Sequence, residues 1–263
     1  LSISAPADAQ IFPLVPPGSA DGSDEPGGLE PDETLAKAPR EVQRRVAQAE
    51  KAIREERFLD AVLVLQAILD EGVEDGFLPS VGGEDPRPLR REVHRLLGRL
   101  PDRGREVYEM QFGGQAQALL DPAVETGDTE ALADVVRQYL RTAAGEEAAL
   151  LLARDRLDRG SPLESLLCLS RLADAPATSA YESERLLLTL VCRLQLGDRA
   201  AARAALEDLK RRAPQTRIRL GEREFVPARD AEEMLALLDA ACGHPQPAAA
   251  APAWRSEEHT SEL

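Results

Sequence analysis

The chain predicts an all-α fold, a tetratricopeptide-like array of helical hairpins, and three observations point that way. Ala, Leu, Arg and Glu dominate its 263 residues, and all four favour helix. Aromatic residues make up only 3%, too few for sandwiches or barrels that lean on aromatic and β-branched side chains. Two turns of matching form, LDRGSP and LQLGDR, place Gly160 and Gly197 37 residues apart, and the helices after them align Leu172 with Leu209. A helical hairpin repeating at about 34 residues is the tetratricopeptide period, although that repeat's signature aromatics are absent here.

The elements follow in order between two linker-like stretches. Residues 1–9 read as a remnant of a signal peptide, because Ala7-Asp8-Ala9 has the small-x-small form of a cleavage site. Residues 10–37, rich in Pro, Gly, Ser and Asp, read as a disordered linker that buries too little apolar surface to offset its ordering entropy. The helical-repeat domain is expected over residues 38–242. Its first helix, Pro39 to Arg57, carries Val42, Val46, Ala49 and Ile53 on one face, and Pro39 suits a first turn. The second, Phe58 to Leu69, is apolar nearly all round and should be sandwiched, with a sharp reversal at Arg57.

A loop holding Gly76, Pro79, Gly82, Gly83, Pro86 and Pro88 interrupts the pattern, which resumes over Leu89 to Leu100. Pro101 closes that helix and opens a short one carrying Val107, Tyr108 and Phe112. Gly113-Gly114 reads as punctuation, and a further helix from Ala116 is expected to break or restart at Pro122. Asp128 is a candidate N-cap for a helix through Leu140 that buries Leu132, Val135 and Val136. Glu146 to Arg159 follows, then Ser161-Pro162 as cap and first-turn proline for Leu163 to Leu172. After Ala175-Pro176 come Glu182 to Leu196, Gly197-Asp198, and Arg199 to Arg212. The sole strand candidate is a short β-hairpin near 217–226, turning at Gly221 and leaning on a helix over Ala228 to Ala241. Residues 243–254 read as a Pro/Ala-rich linker. The last nine, RSEEHTSEL at 255–263, resemble the codon-for-codon translation of a common sequencing adapter, so they are set aside as an artefact.

The formal net charge is −15, and without the adapter-like tail, with its one Arg and three Glu, it is −13. Such a field repels phosphate backbones and anionic lipid surfaces, so nucleic acid is excluded as the expected partner. No apolar run approaches the ~20 residues that a bilayer span needs, so no membrane insertion is expected.

Catalytic chemistry finds no foothold. Apart from the tail, the histidines are His94 and His244, and His94 reads as a partly exposed structural residue. Cys168, Cys192 and Cys242 show no CxxC spacing and read as small packed side chains. Asp21, Asp24 and Glu25 lack a calcium-loop pattern, and the pairs Glu146/Glu147 and Glu232/Glu233 read as surface or helix N-terminal charge. Gly82-Gly83 and Gly113-Gly114 lead into no phosphate-binding Lys-Ser/Thr helix start. No catalytic, cofactor-binding or metal-ligating residue is therefore assigned, and neither metal nor quinone is expected on this segment.

Three stretches go further. IREERFLDAVLVLQAILD (Ile53–Asp70), VHRLLGRLPDRGREVYEMQFGGQAQALL (Val93–Leu120) and the run from Thr126 to Leu172 resemble the helical N-terminal region of large bacterial β-propeller proteins. Those propellers are of the pyrroloquinoline-quinone (PQQ) binding-like, outer-membrane assembly-factor-like type. The LPxxGxxxYExQFG piece is the most diagnostic, and the likeness covers about Ala38 to Ala241. The resemblance implies an exported, periplasmic or cell-envelope protein whose Pro/Ala linker and Trp254 lead into propeller strands. With no catalytic motif, and with stacked hairpins that build a curved surface suited to an extended partner, the segment is expected to be a non-catalytic protein–protein interaction or scaffolding module that binds a protein or peptide. The alternatives are the helical region of a quinoprotein oxidoreductase, or a cytoplasmic helical-repeat adaptor. Sequencing the intact gene is expected to show propeller repeats beyond Trp254 and a signal peptide ahead of Leu1; further helices or an early stop would contradict the resemblance.

Overall fold

The computed structural model describes residues 37–72, 76–78, 86–172 and 181–242. Helix α1 (Arg40–Arg54) is followed by α2 (Phe58–Asp70), then by β1 (Phe77–Leu78), β2 (Arg87–Pro88) and α3 (Leu89–Gly98). Next come α4 (Asp102–Thr126), α5 (Thr129–Tyr139), α6 (Ala143–Asp158) and α7 (Pro162–Ser170). The chain goes on through α8 (Glu182–Gln195), α9 (Arg199–Arg212), β3 (Ile218–Leu220), β4 (Arg223–Phe225) and α10 (Pro227–Cys242). The fold is all-α with two small antiparallel strand pairs, and no helix among the described residues is long and apolar enough to cross a membrane.

Four helix pairs reverse in the same way. Glu56, Gly127, Gly160 and Gly197 adopt φ of 57°, 66°, 75° and 72°, the left-handed region. Each donates its N–H to the carbonyl three residues back, and the next residue donates to the carbonyl five back. The second set of bonds runs Arg57 to Ala52, Asp128 to Ala123, Ser161 to Arg156 and Asp198 to Arg193. This closure satisfies the last carbonyls of one helix, and the next helix starts at once. Asp128 and Asp198 then cap it, accepting from the amides of Glu130 and Ala131, and of Ala201. Ser161, expected to cap α7, makes no side-chain cap bond, and Pro162 in the first turn removes one of the amides that would need it.

A common burial register follows from the common reversal. Five, nine and twelve residues past the left-handed position, every second helix is buried: Ala61, Leu65 and Ile68 in α2, and Leu132, Val136 and Tyr139 in α5. The same places hold Ser165, Leu169 and Leu172 after Gly160, and Ala202, Leu206 and Leu209 after Gly197. Spacings of four and three put each trio on one helix face. Seven residues before the reversal sit Ala49, Leu120, Ala153 and Leu190, none more than 1% exposed. Successive hairpins stack through these faces, with α2 on α4, α5 on α6 and α7 on α8, while α4 packs on α6 and α6 on α8. One core runs from Ala38 to Leu172, and a second joins α8, α9, the β3–β4 pair and α10. Helix α8 serves both, with Cys192 in the first core and Leu186, Leu190 and Leu194 in the second.

Several local expectations are corrected. Gly113-Gly114 and Pro122 do not break a helix, because α4 runs through all three. Beside Gly113 lies the Glu109 carboxylate, which accepts the N–H of Ala143 at 3.0 Å, on the first turn of α6. Around Pro122, buried Leu120 and Ala123 hold the helix on the core despite one missing amide donor. The loop after α2 also holds a strand pair, Phe77 opposite Pro88 and Leu78 opposite Arg87, so the 217–226 hairpin is not the sole one. Ala38 docks there, its amide donating to Phe77 at 2.9 Å, and a Cβ on Gly76 would lie 2.7 Å from the Ala38 Cα. The 217–226 hairpin forms as expected, pairing Ile218 with Phe225, and β4 packs on α10. Residues 1–36, the Gly82-Gly83 turn and the Pro/Ala-rich tail lie outside the described residues.

Glu56 is the one non-glycine among these reversals, and its side chain strains a backbone that glycine adopts freely. Glu56→Gly is expected to raise the unfolding free energy by roughly 0.5–1 kcal/mol, read from urea denaturation midpoints. An unchanged or lowered midpoint would contradict the reversal geometry.

Candidate interaction face

The repeat that buries positions five, nine and twelve turns positions three and seven to the opposite side of each second helix. Those places hold Leu59 and Leu63 in α2, Glu130 and Asp134 in α5, Leu163 and Leu167 in α7, and Ala200 and Ala204 in α9, all exposed. The four leucines are 50%, 43%, 61% and 60% exposed. Single exposed leucines are ordinary on protein surfaces. Two such pairs stand at the same register of two hairpins, with a carboxylate pair at that register in the hairpin between them in sequence.

The electrostatics are simple. Asp134 is ion-paired to Arg137 of its own helix, whereas Glu130 makes no ion pair among the described residues. Beside the first leucine pair a shallow cleft of about 220 Å³ opens between α1 and α2, lined by Gln48, Ala52, Arg57, Asp60, Leu63 and Val64. Arg57 bridges Asp60 at 2.5 Å and Glu55 at 2.8 Å at its rim. Met110, Leu119 and Val124 of α4 are also exposed, but they lie on a first helix and off this row.

The residues weighed for chemistry are placed elsewhere. His94 is buried rather than partly exposed, at 8%. Its Nε2 stands 3.1 Å from the Arg137 carbonyl oxygen, so that nitrogen donates, and Nδ1 is buried without a hydrogen-bond partner. Arg141 donates to the His94 carbonyl at 3.0 Å, so this stretch ties α3 to the end of α5. Burial, followed by the charge of Arg141, lowers the imidazole to about 3. The three cysteines are free thiols. Cys192 is fully buried and donates to Ser165 Oγ at 3.3 Å, and burial raises its pKa, which suits packing rather than nucleophilic attack.

The carboxylate pairs are more structural than their sequence setting suggests. Glu147 accepts the Tyr181 hydroxyl at 3.1 Å, fastening α6 to the start of α8, and Glu146 lies in the first turn of α6. Glu233 pairs with Arg223, whose guanidinium lies 5.0 Å from the Phe225 ring centre, locking β4 on α10. Among the described residues no group of three His, Cys, Asp or Glu side chains could hold a metal ion. His244, Asp21, Asp24 and Glu25 lie outside the described residues.

The leucine row went unread in the sequence although a signal exists. FLDAVLVL from Phe58 and PLESLLCL from Pro162 align residue for residue once Glu56 is matched to Gly160. Without the backbone, nothing marks a glutamate as the counterpart of a turn glycine.

His94 carries a pH consequence. Its folded-state pKa lies below the ordinary value of about 6.5, so the unfolded chain takes up a proton first. The stability it supports is complete above about pH 6.5 and is lost as the pH falls toward 3, by at most about 1.4 kcal/mol per pH unit. His94→Gln is expected to shrink the difference between urea midpoints at about pH 7 and about pH 4.5. An identical difference in both proteins would show that the ring titrates normally.

Compared with known proteins, the chain matches no family model, no curated protein and no solved structure.

Proposed function

We propose that this chain is a non-catalytic protein–protein interaction or scaffolding module. The observation that carries this reading is the outer row of leucine, carboxylate and leucine pairs, held in one register by four stacked hairpins. Stacked helical hairpins offer a continuous surface to an extended partner, and leucines that project from a rigid register act as ready-made anchors. The resemblance over Ala38 to Ala241 further supports a place in the cell envelope, ahead of a PQQ-like propeller. In that setting the module recruits or positions a protein partner for the propeller portion.

The reading is tested with a random peptide library panned on the immobilised chain. Enriched peptides should bind the chain in solution in the micromolar range, about −8 kcal/mol at 1 μM, by fluorescence anisotropy. No enrichment above an immobilised helical control of similar charge would sink it.

A further inference from the structure

We propose that Arg90, Arg141 and Arg171 form a binding site for a single phosphate group beside the buried His94, a ligand site independent of the module reading above. The stretch from Arg87 to Arg105 holds seven arginines against two carboxylates, in a chain whose net charge is −15. Glu92 pairs with Arg87 and Arg95, and Asp102 pairs with Arg105. Arg90 is left with no ion pair among the described residues, and so is Arg171.

Three elements bring these charges to one imidazole. Arg90 lies one helical turn before His94 on α3, Arg141 follows the end of α5, and Arg171 stands at the C-cap of α7. Arg141 is anchored there, its Nε donating to the His94 carbonyl at 3.0 Å. The positive charges of all three bear on the ring, and no carboxylate is among the charges that act most strongly on it. The carbonyl ends of α5 and α7 offset only about half a charge each, so the cluster stays positive. Arg90 is half-buried and Arg171 is exposed, so a solute reaches them.

The histidine favours phosphate over a carboxylate. His94 Nε2 donates to the Arg137 carbonyl at 3.1 Å, so Nδ1 of the neutral ring is an acceptor, buried with no hydrogen-bond partner. Monohydrogen phosphate offers such a nitrogen an O–H, directly or through one water, while its other oxygens accept from guanidinium groups. A carboxylate at neutral pH has no proton to give. A nucleic acid would run past the cluster onto acidic surface that repels it. A single phosphate stays within the cluster, and screening over about 8 Å shields it from the rest of the chain.

The test titrates inorganic phosphate, and separately acetate, into the full chain at constant ionic strength. The His94 ring resonances, assigned with H94Q, are followed by NMR. Phosphate should shift them saturably in the millimolar range and bind at least about 10-fold tighter than acetate. Arg171→Gln, at an exposed position, should weaken phosphate severalfold, and R90Q with R171Q at least about 10-fold, with urea midpoints unchanged. Arg203 and Arg219 also lack ion pairs among the described residues, and R203Q with R219Q should leave phosphate binding as it was. No saturable shift, equal affinity for acetate, or an equal loss in R203Q with R219Q overturns the site. The module reading is tested by peptides and stands or falls apart from this result.

Discussion

Four helical hairpins among the described residues depend on one backbone event, a single residue in the left-handed region just after a helix. The following amide reaches back five residues, so the helix is sealed and the next one begins within one or two positions. No slack remains in the turn, and the second helix leaves at a fixed angle and rotation. Burial at the same offsets in α2, α5, α7 and α9 follows from that lack of slack. So does the exposure of the positions opposite, among them Leu59, Leu63, Leu163 and Leu167.

Stacking one hairpin on the next is the task of a few buried polar ties. Tyr108 of α4 donates to Gln66 Oε1 at 2.8 Å, and Gln66 Nε2 donates to Asp70 at 2.8 Å and to the Gln138 carbonyl at 3.3 Å. One glutamine therefore joins α2, α4 and α5. Within the last hairpin, Glu182 takes Arg185 at 2.9 Å and Arg212 at 2.8 Å while only 4% exposed, fastening the start of α8 to the end of α9. Buried ions of this kind contribute little net stability when paired and cost several kcal/mol, roughly 3–5, when one partner is lost. Apolar packing alone tolerates sliding between smooth helix faces; a buried hydrogen bond with one geometric solution does not.

Glycine shows why local reading succeeds in some places and fails in others. Gly160 and Gly197 were legible as turns because a positive φ is their common use. Gly145 looks the same in sequence but serves close approach of two backbones. A Cβ on Gly145 would strike the Tyr139 carbonyl, which lets the short link from α5 to α6 fold tightly around Thr142. Glu56 is the reverse case, a turn residue with no turn signature. His94 likewise lies among arginines and a glutamate in sequence, and only its contact with Arg137 from a helix 43 residues away shows it to be interior.

The sequence by itself determined the helical class, the hairpin order, the cap at Asp128, and most of the buried stripe, since these depend on spacings within one or two turns of chain. It likewise determined the short β3–β4 hairpin, whose strands are separated by a two-residue turn. Only the tertiary structure decided that α4 continues through two glycines and a proline, because the restraint comes from partners on α2, α5 and α6. It also decided which leucines are core and which face outward. Leu167 and Leu169 are two residues apart and chemically identical, yet one is 60% and the other 1% exposed. That difference depends on the rotation of α7 about its axis, which the left-handed turn at Gly160 and the neighbouring hairpins set together.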